Sequence, residues 1–420
     1  MRRLPPPKRP DTAMPLDNTA LADASQPGSG NSTSPREWLS VCAVAISAFA
    51  FVTTEFLPVG LLPHIATDFH VSTGAAGLMV TIPGILAALA APGAVLAAGR
   101  MNRRYVFLLL TACLLASNVI GALAPNLPVM LAGRALLGAA LGGFWTLATA
   151  ASTRLVAPRD VARAMAVILA GVTCATVIGV PIGTYIADVA SWRAAFACTG
   201  ALVTLALIGQ YFLVPSLPSH TAMRMRDLIR PLSEPHVRRA LIMITLLFGA
   251  HFCSYTYISP FLIDHAHFAM SSVTWLLLGF GALGFLSNIA FSRGVDHDLK
   301  RSMTIVVALL LCAQLALPLF VHSQIVVTGM LMVWGIAFGG VPLCSSVLMQ
   351  RATPRNAEAG SALFVCGVQI AIAVASLAGG AVVDHIGVPA DMLMGAVIAL
   401  LSLLVWVRPA VIAIRGKQHA

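Results

Sequence analysis

Apolar residues in this chain run in long unbroken stretches, without the alternation of a strand or the single greasy face of a soluble helix. Stretches of spanning length recur at approximately 38–62, 75–99, 105–125, 128–151, 162–186 and 194–214, then at 240–263, 273–292, 302–321, 325–349, 359–383 and 390–408. About 20 residues of helix cross a hydrocarbon core, so the pattern predicts twelve transmembrane helices in two sets of six. The first stretch, WLSVCAVAISAFAFVTTEFLPVGLL, is too long for a signal-peptide core, and no small-residue cleavage site follows it. Residues 1–36 are rich in Pro, Ser, Thr and Asp and have no apolar periodicity, which predicts a disordered cytoplasmic tail with Met14 as a second candidate start. The expected organisation is therefore a tail (1–36), a six-helix bundle (37–214), a cytoplasmic linker (215–239), a second six-helix bundle (240–409) and a short tail (410–420).

Composition agrees. The chain is 58% hydrophobic and 10% charged, against about 25% charged in soluble domains, and its mean hydropathy is +0.87. A net charge of +10 would point to nucleic acid in a soluble protein, but its distribution points elsewhere. With the N-terminus inside, 24 of the 26 basic residues fall in inner loops and tails. Arg193 alone lies on the outer side, and Arg134 lies within a helix. Positive charge marks the cytoplasmic side, so both termini are expected in the cytoplasm and no nucleic-acid partner is implied. Within the linker, Met223–Ile229 reads as a short surface helix, either an anionic-lipid contact or an orientation signal. All eight cysteines lie inside apolar runs with no metal-ligand spacing and read as packing residues. No nucleophile–base set, metal cluster or phosphate loop is visible, so the reading is of a protein that is not an enzyme and needs no cofactor or metal.

The two halves repeat. Gly138-Ala-Ala-Leu-Gly142-Gly143 in the fourth span has the spacing of Gly335-Ile-Ala-Phe-Gly339-Gly340 in the tenth, 197 residues on, and Pro63 meets Pro260 at that same offset. Gly171, Gly183 and Asp188 meet Gly367, Gly379 and Asp384 at 196. A shared offset predicts duplicated bundles around a central cavity.

Several motifs resemble those of the major facilitator superfamily, in its drug:proton antiporter branch. The loop after the second span, Gly99-Arg100-Met101-Asn102-Arg103-Arg104, is similar to that family's G-x-x-x-D-R-x-G-R-R, with Gly99 where the family has the gate aspartate. Arg134, Gly138, Gly142 and Gly143 match R-x-x-x-G-x-x-x-G-G. Gly171, Gly179, Pro181 and Gly183 in GVTCATVIGVPIG resemble the antiporter motif, with Val180 interposed before the proline. Physically, Pro181 should kink its helix and the glycines should permit tight contact with the opposite bundle. FLPVGLLP, GRALLGAALGGFW, RLVAPRDVARAMAVI and PIGTYIADVASWRAAF are similar to the purine ribonucleoside exporters of that branch. The resemblance implies a monomeric transporter of the bacterial inner membrane, with a proton, a small-molecule substrate and the lipid bilayer as its partners. Sugar or multidrug efflux by the same fold, and a non-transporting membrane sensor, stay open as alternatives.

Candidate chemistry centres on Glu55, the one acid firmly inside a span. An intramembrane acid is expensive and by default functional. On a 1.5 Å rise, Glu55 and Arg134 lie about 6 Å and about 7.5 Å to the same side of their helix centres, so an ion pair or shared water is expected, unless Arg134 snorkels to the surface. A cycle that separates the two charges would change proton affinity, which coupling requires. The seventh span offers His251 and Tyr255 on one face, with Tyr257 turned elsewhere. His251 is a second candidate for proton coupling. Trp145, Tyr255, Tyr257, Asn288 and Gln369 are the candidate substrate contacts, with Gln314, Ser345 and Ser346 as further polar insertions, each readable instead as a helix–helix hydrogen bond.

Overall fold

A computed structural model describes residues 33–98, 101–216, 226, 229–295, 297–354 and 357–407. Among these the chain is all helical. The first half comprises α1 (Pro35–Phe69), α2 (Thr73–Ala98), α3 (Arg103–Leu123), α4 (Leu127–Leu155), α5 (Val161–Val189, in three segments) and α6 (Trp192–Leu213). The second comprises α7 (Pro235–Tyr255), α8 (Met270–Ser292), α9 (Leu299–Leu319), α10 (Gln324–Ala352), α11 (Ala357–His385) and α12 (Val388–Val407). All twelve are long and apolar enough to cross a membrane. Residues such as Leu109, Leu205, Leu286, Val374 and Leu404 point outward, where lipid tails replace a packed core.

Polar residues set the helix ends. Ser34 and Glu37 form a capping box at α1: Glu37 N–H donates to Ser34 Oγ, and Ser34 N–H to Glu37 Oε2. Asn102 caps α3 and Asn126 caps α4; Asp298 and Ser323, 196 and 197 residues later, cap α9 and α10. The duplication thus extends to the loops.

Packing repeats too. In the first bundle α1 packs on α5 and α6, α2 on α4, and α3 on α4 and α6; in the second, α7 on α11 and α12, α8 on α10, and α9 on α10 and α12. The bundles meet along two equivalent seams, α2 against α11 and α5 against α8. A Cβ at Gly138 or Gly142 would collide with the carbonyls of Pro83 and Ala87 on α2; one at Gly335 or Gly339 would collide with those of Phe280 and Gly284 on α8. All four partner pairs stand 197 apart, so the repeat is one of contacts as well as of letters.

Two spans are less regular than the apolar pattern predicts. In α5 the segments Val161–Cys174 and Val180–Val189 are joined by a π-turn, Ala175–Gly179. Pro181 has no N–H for the preceding turn, and the widened turn absorbs the mismatch. The seventh span, expected to run unbroken over 240–263, stops at Tyr255 and resumes as a turn at Ile258–Pro260 and a π-turn at Phe261–His265. Pro260 withholds the N–H that Thr256 O would have taken. The cysteines are all free, but only Cys253 and Cys344 are buried; Cys42, Cys174, Cys198 and Cys312 lie exposed on the helices, where small size rather than core packing accounts for them. The surface helix expected over Met223–Ile229 lies, apart from residues 226 and 229, outside the described residues.

Candidate functional site

Glu55 sits in the middle of α1 and is 6% exposed. Its Oε1 accepts a hydrogen bond of 3.2 Å from Gln369 Nε2 of α11, so the carboxylate bridges the two bundles. Arg134 lies at the same depth, as the rise calculation predicts, and is fully buried, which excludes snorkelling. The expected ion pair does not form. The guanidinium donates instead to three carbonyls: Nη1 to Thr54 O (2.6 Å), Nη2 to Glu55 O (2.7 Å) and Nε to Met79 O (2.7 Å).

Proline accounts for the difference. A helix carbonyl normally accepts from the N–H four residues later. Pro58 leaves Thr54 O without that donor, and Pro83 does the same for Met79 O. Buried carbonyls must be satisfied, and the planar guanidinium fork reaches both freed oxygens and one more between them. Arg134 is thereby anchored to α1 and α2, and the Glu55 carboxylate is left facing the other bundle. The rule recurs between the bundles. Pro63 frees Val59 O, which accepts from Ser259 Oγ at 2.8 Å, and Pro92 frees Ala88 O, which faces Cys366 Sγ at 3.7 Å.

Across the interface, Phe56 stacks on Phe252 with ring centroids 5.2 Å apart. The face predicted on the seventh span is present, with His251 and Tyr255 stacked at 4.8 Å. Phe338 lies against His251 at 3.6 Å, and Trp334 Nε1 donates to His251 Nδ1 at 3.0 Å. Tyr257 does turn elsewhere. Its hydroxyl donates to Ser376 O at 2.8 Å and lies where a side chain at Gly77 of α2 would be, so it serves the bundle seam.

Other candidates are not brought to this centre. Asn288 Nδ2 donates to Gly339 O at 2.9 Å and Gln314 Nε2 donates to Ala250 O, both helix–helix bonds within the second bundle. Trp145 lies edge-on to Phe144 in the packing of the first bundle.

The glycines of the antiporter motif behave differently from expectation. A Cβ at Gly171, Gly179 or Gly183 would meet Ala45 O, Thr53 Oγ1 or Leu57 Cδ1, all on α1 of the same bundle. They bring α5 onto the helix that carries Glu55. Contact with the opposite bundle comes from Gly281 of α8, set against Thr176 and Val177 in the π-turn. Gly143 is buried in α4. Of the loop motif, Gly99 and Arg100 lie outside the described residues. Arg103 begins α3, and Arg104 donates to Tyr211 O at 2.6 Å.

The arginine-poor end, where α1 stops and α2 starts, is closed by two acids that the sequence marks only as repeat partners. Asp384 of α11 accepts from Gly74 N–H (2.8 Å) and Ser72 Oγ (2.7 Å), capping α2 from the other bundle. Its repeat partner Asp188 of α5 faces His64 of α1 at 3.4 Å and Thr274 at the head of α8. Glu55 is also not the only enclosed acid. Asp391, in the first turn of α12, is fully buried with Oδ1 3.0 Å from Cys253 Sγ. Its place at the very edge of a span hid it. The recurrence of Asp188 as Asp384, and a proline four residues after two of the three carbonyls that Arg134 recruits, were the available signals.

Comparison with known proteins agrees with this geometry. The chain is 33% identical over 369 residues to the transcription regulatory protein OpdE of Pseudomonas aeruginosa, covering 87% of this chain and 92% of that protein. It is 31% identical over 374 residues to the purine ribonucleoside efflux pump NepI of Escherichia coli O6:K15:H31, covering 89% and 94%. Among solved structures, a bacterial homologue of the human lysosomal transporter Spinster superposes with a TM-score of 0.71 at 15% identity, over 91% of this chain and 98% of that one. The human organic anion transporter MFSD10 superposes with a TM-score of 0.65 at 18% identity, over 89% and 100%. The Major Facilitator Superfamily model matches residues 44–366; with twelve spans, two equivalent bundles and these relatives, the chain belongs to the major facilitator superfamily and is a membrane transporter, not an enzyme.

Proposed function

We propose that this transporter exports small polar solutes, purine ribonucleosides foremost, in exchange for protons, with Glu55 as the group that binds and releases the proton. The observation that carries the reading is the Glu55–Gln369 contact: a buried carboxylate whose partner belongs to the other bundle. When the bundles rock, that hydrogen bond breaks and the carboxyl exchanges its surroundings, which couples its proton to the conformational change. Arg134, tied to backbone carbonyls, stays with the first bundle as a fixed positive neighbour. The charge asymmetry supports a bacterial inner-membrane location with both termini cytoplasmic, so that the latched arginine-poor end faces outward. The polypeptide acts as a monomer, its bundles at 37–214 and 240–409 moving about the 215–239 connector. Similarity to a nucleoside efflux pump supports the cargo.

The test is a proteoliposome assay with an imposed pH gradient and a panel of labelled nucleosides, sugars and dyes. Gradient-dependent movement of inosine or guanosine supports the reading, and movement of only sugars or dyes reassigns the cargo. A second reading, a membrane sensor that transports nothing, is favoured by the similarity to a protein named as a transcription regulator. Binding of a nucleoside without any flux in the same vesicles would select it.

A further inference from the structure

The imidazole of His251 is fully enclosed, and its orientation is set by one bond. Trp334 Nε1 lies 3.0 Å from Nδ1. An indole N–H can only donate, so Nδ1 accepts and the proton of the neutral ring sits on Nε2. A doubly protonated ring would turn one N–H against another. The rings packed on it are Phe252 and Tyr255 from α7, Phe280 from α8, and Trp334 and Phe338 from α10, with no charged side chain among them.

Nε2 has no hydrogen-bond partner among the described residues although it is buried. Buried donors are nearly always bonded, so a donor held in one direction and left unpaired is a feature with a use. The cluster also has an open side. Phe56 and Phe338 are only partly buried, while Phe252 and His251, which they stack on, are enclosed. Phe56 follows Glu55 in the first bundle, so the cluster reaches the junction of the bundles.

We propose that Trp334 holds His251 as the Nε2–H tautomer and that this N–H is the donor that reads an in-plane acceptor of a planar heterocyclic cargo lying against the aromatic rings. His251 is then a recognition group rather than a proton carrier, and Trp334 a positioning residue that acts through it. The inference deepens the nucleoside reading and rests on it: a 6-oxopurine such as the base of inosine offers two π faces and in-plane acceptors at N3, N7 and O6.

Binding of inosine is compared, on the purified full-length protein, with 3-deazainosine, which lacks N3, 7-deazainosine, which lacks N7, and purine riboside, which lacks O6 and carries an acceptor in place of the N1–H donor. One analogue should bind about tenfold more weakly, equivalent to about 1.4 kcal/mol, and His251→Phe should abolish that difference. His251→Gln, which places an amide donor at similar reach, should restore part of it. Trp334→Phe, which removes the bond that orients the ring, should weaken that discrimination while leaving His251 in place. If the wild type binds inosine and all three analogues equally, or if His251→Phe keeps the discrimination, the inference is overturned while the nucleoside reading stands. If the wild type binds no nucleoside at all, both fall.

Discussion

Arg134→Ala offers the sharpest test of the idea that prolines in α1 and α2 create the seat of the buried arginine. The substitution removes three hydrogen bonds and leaves Thr54 O and Met79 O, which have no helical donor, buried and unpaired. Interhelical bonds in membranes contribute about 0.6–2 kcal/mol each, and charged donors lie at the high end, so the expected loss is roughly 2–5 kcal/mol. Pro83→Ala then supplies an N–H four residues after Met79 and repairs that carbonyl; Pro58→Ala does the same for Thr54. In the Arg134→Ala background each repair should recover about 1 kcal/mol beyond its effect on the wild type, where the new N–H competes with a guanidinium already in place. Because the cycle compares the same proline change in two backgrounds, general effects of proline on the helix cancel. Reversible unfolding in mixed micelles, followed by tryptophan fluorescence, reads the four corners. Additivity of Arg134 and Pro83 within about 0.3 kcal/mol would refute the account.

Asp384→Ala removes both acceptors that hold Ser72 and Gly74 across the bundles; spin labels at positions 70 and 386 should report a new population of longer distances, and an unchanged distribution would leave the latch without a role. Gly142→Ala and Gly339→Ala should each destabilise by roughly 1–3 kcal/mol, since both press a Cβ onto the carbonyl of a facing helix; a large cost in one bundle only would contradict their equivalence. Gln369→Leu should leave insertion intact but shift the pH at which transport is half-maximal, because the partner of the Glu55 carboxylate is lost; an unshifted profile would remove Gln369 from the coupling site.

The twelve spans, their division into two sets and the positions of Glu55 and Arg134 at one depth were legible because spanning length and helical rise are one-dimensional quantities. The glycine repeat at 197 could be read for the same reason, and its collision partners on α2 and α8 keep that offset. What the letters did not convey was which side chain satisfies which backbone group. Opposite charges at equal depth suggest an ion pair, but carbonyls freed by Pro58 and Pro83 are fixed, buried acceptors, and they took the guanidinium. Asn288 and Gln314 could be read either as cavity residues or as helix–helix hydrogen bonds, and only the contacts show the second, each amide being occupied by a neighbouring helix. Asp384 was read only as a marker of duplication, since its role as a cap for α2 depends on a contact between residues more than three hundred positions apart. The glycines of α5 were assigned to the wrong neighbour because helix spacing gives a face but not what covers it.

Gradient-driven inosine transport by Glu55→Gln in proteoliposomes tests the central claim most directly. Glutamine keeps the size of the side chain and can still pair with Gln369, so the protein should insert, fold and bind inosine. It carries no exchangeable charge, so an imposed pH gradient should drive no inosine movement above that of empty vesicles. Wild-type rates of gradient-driven transport in Glu55→Gln would contradict the account.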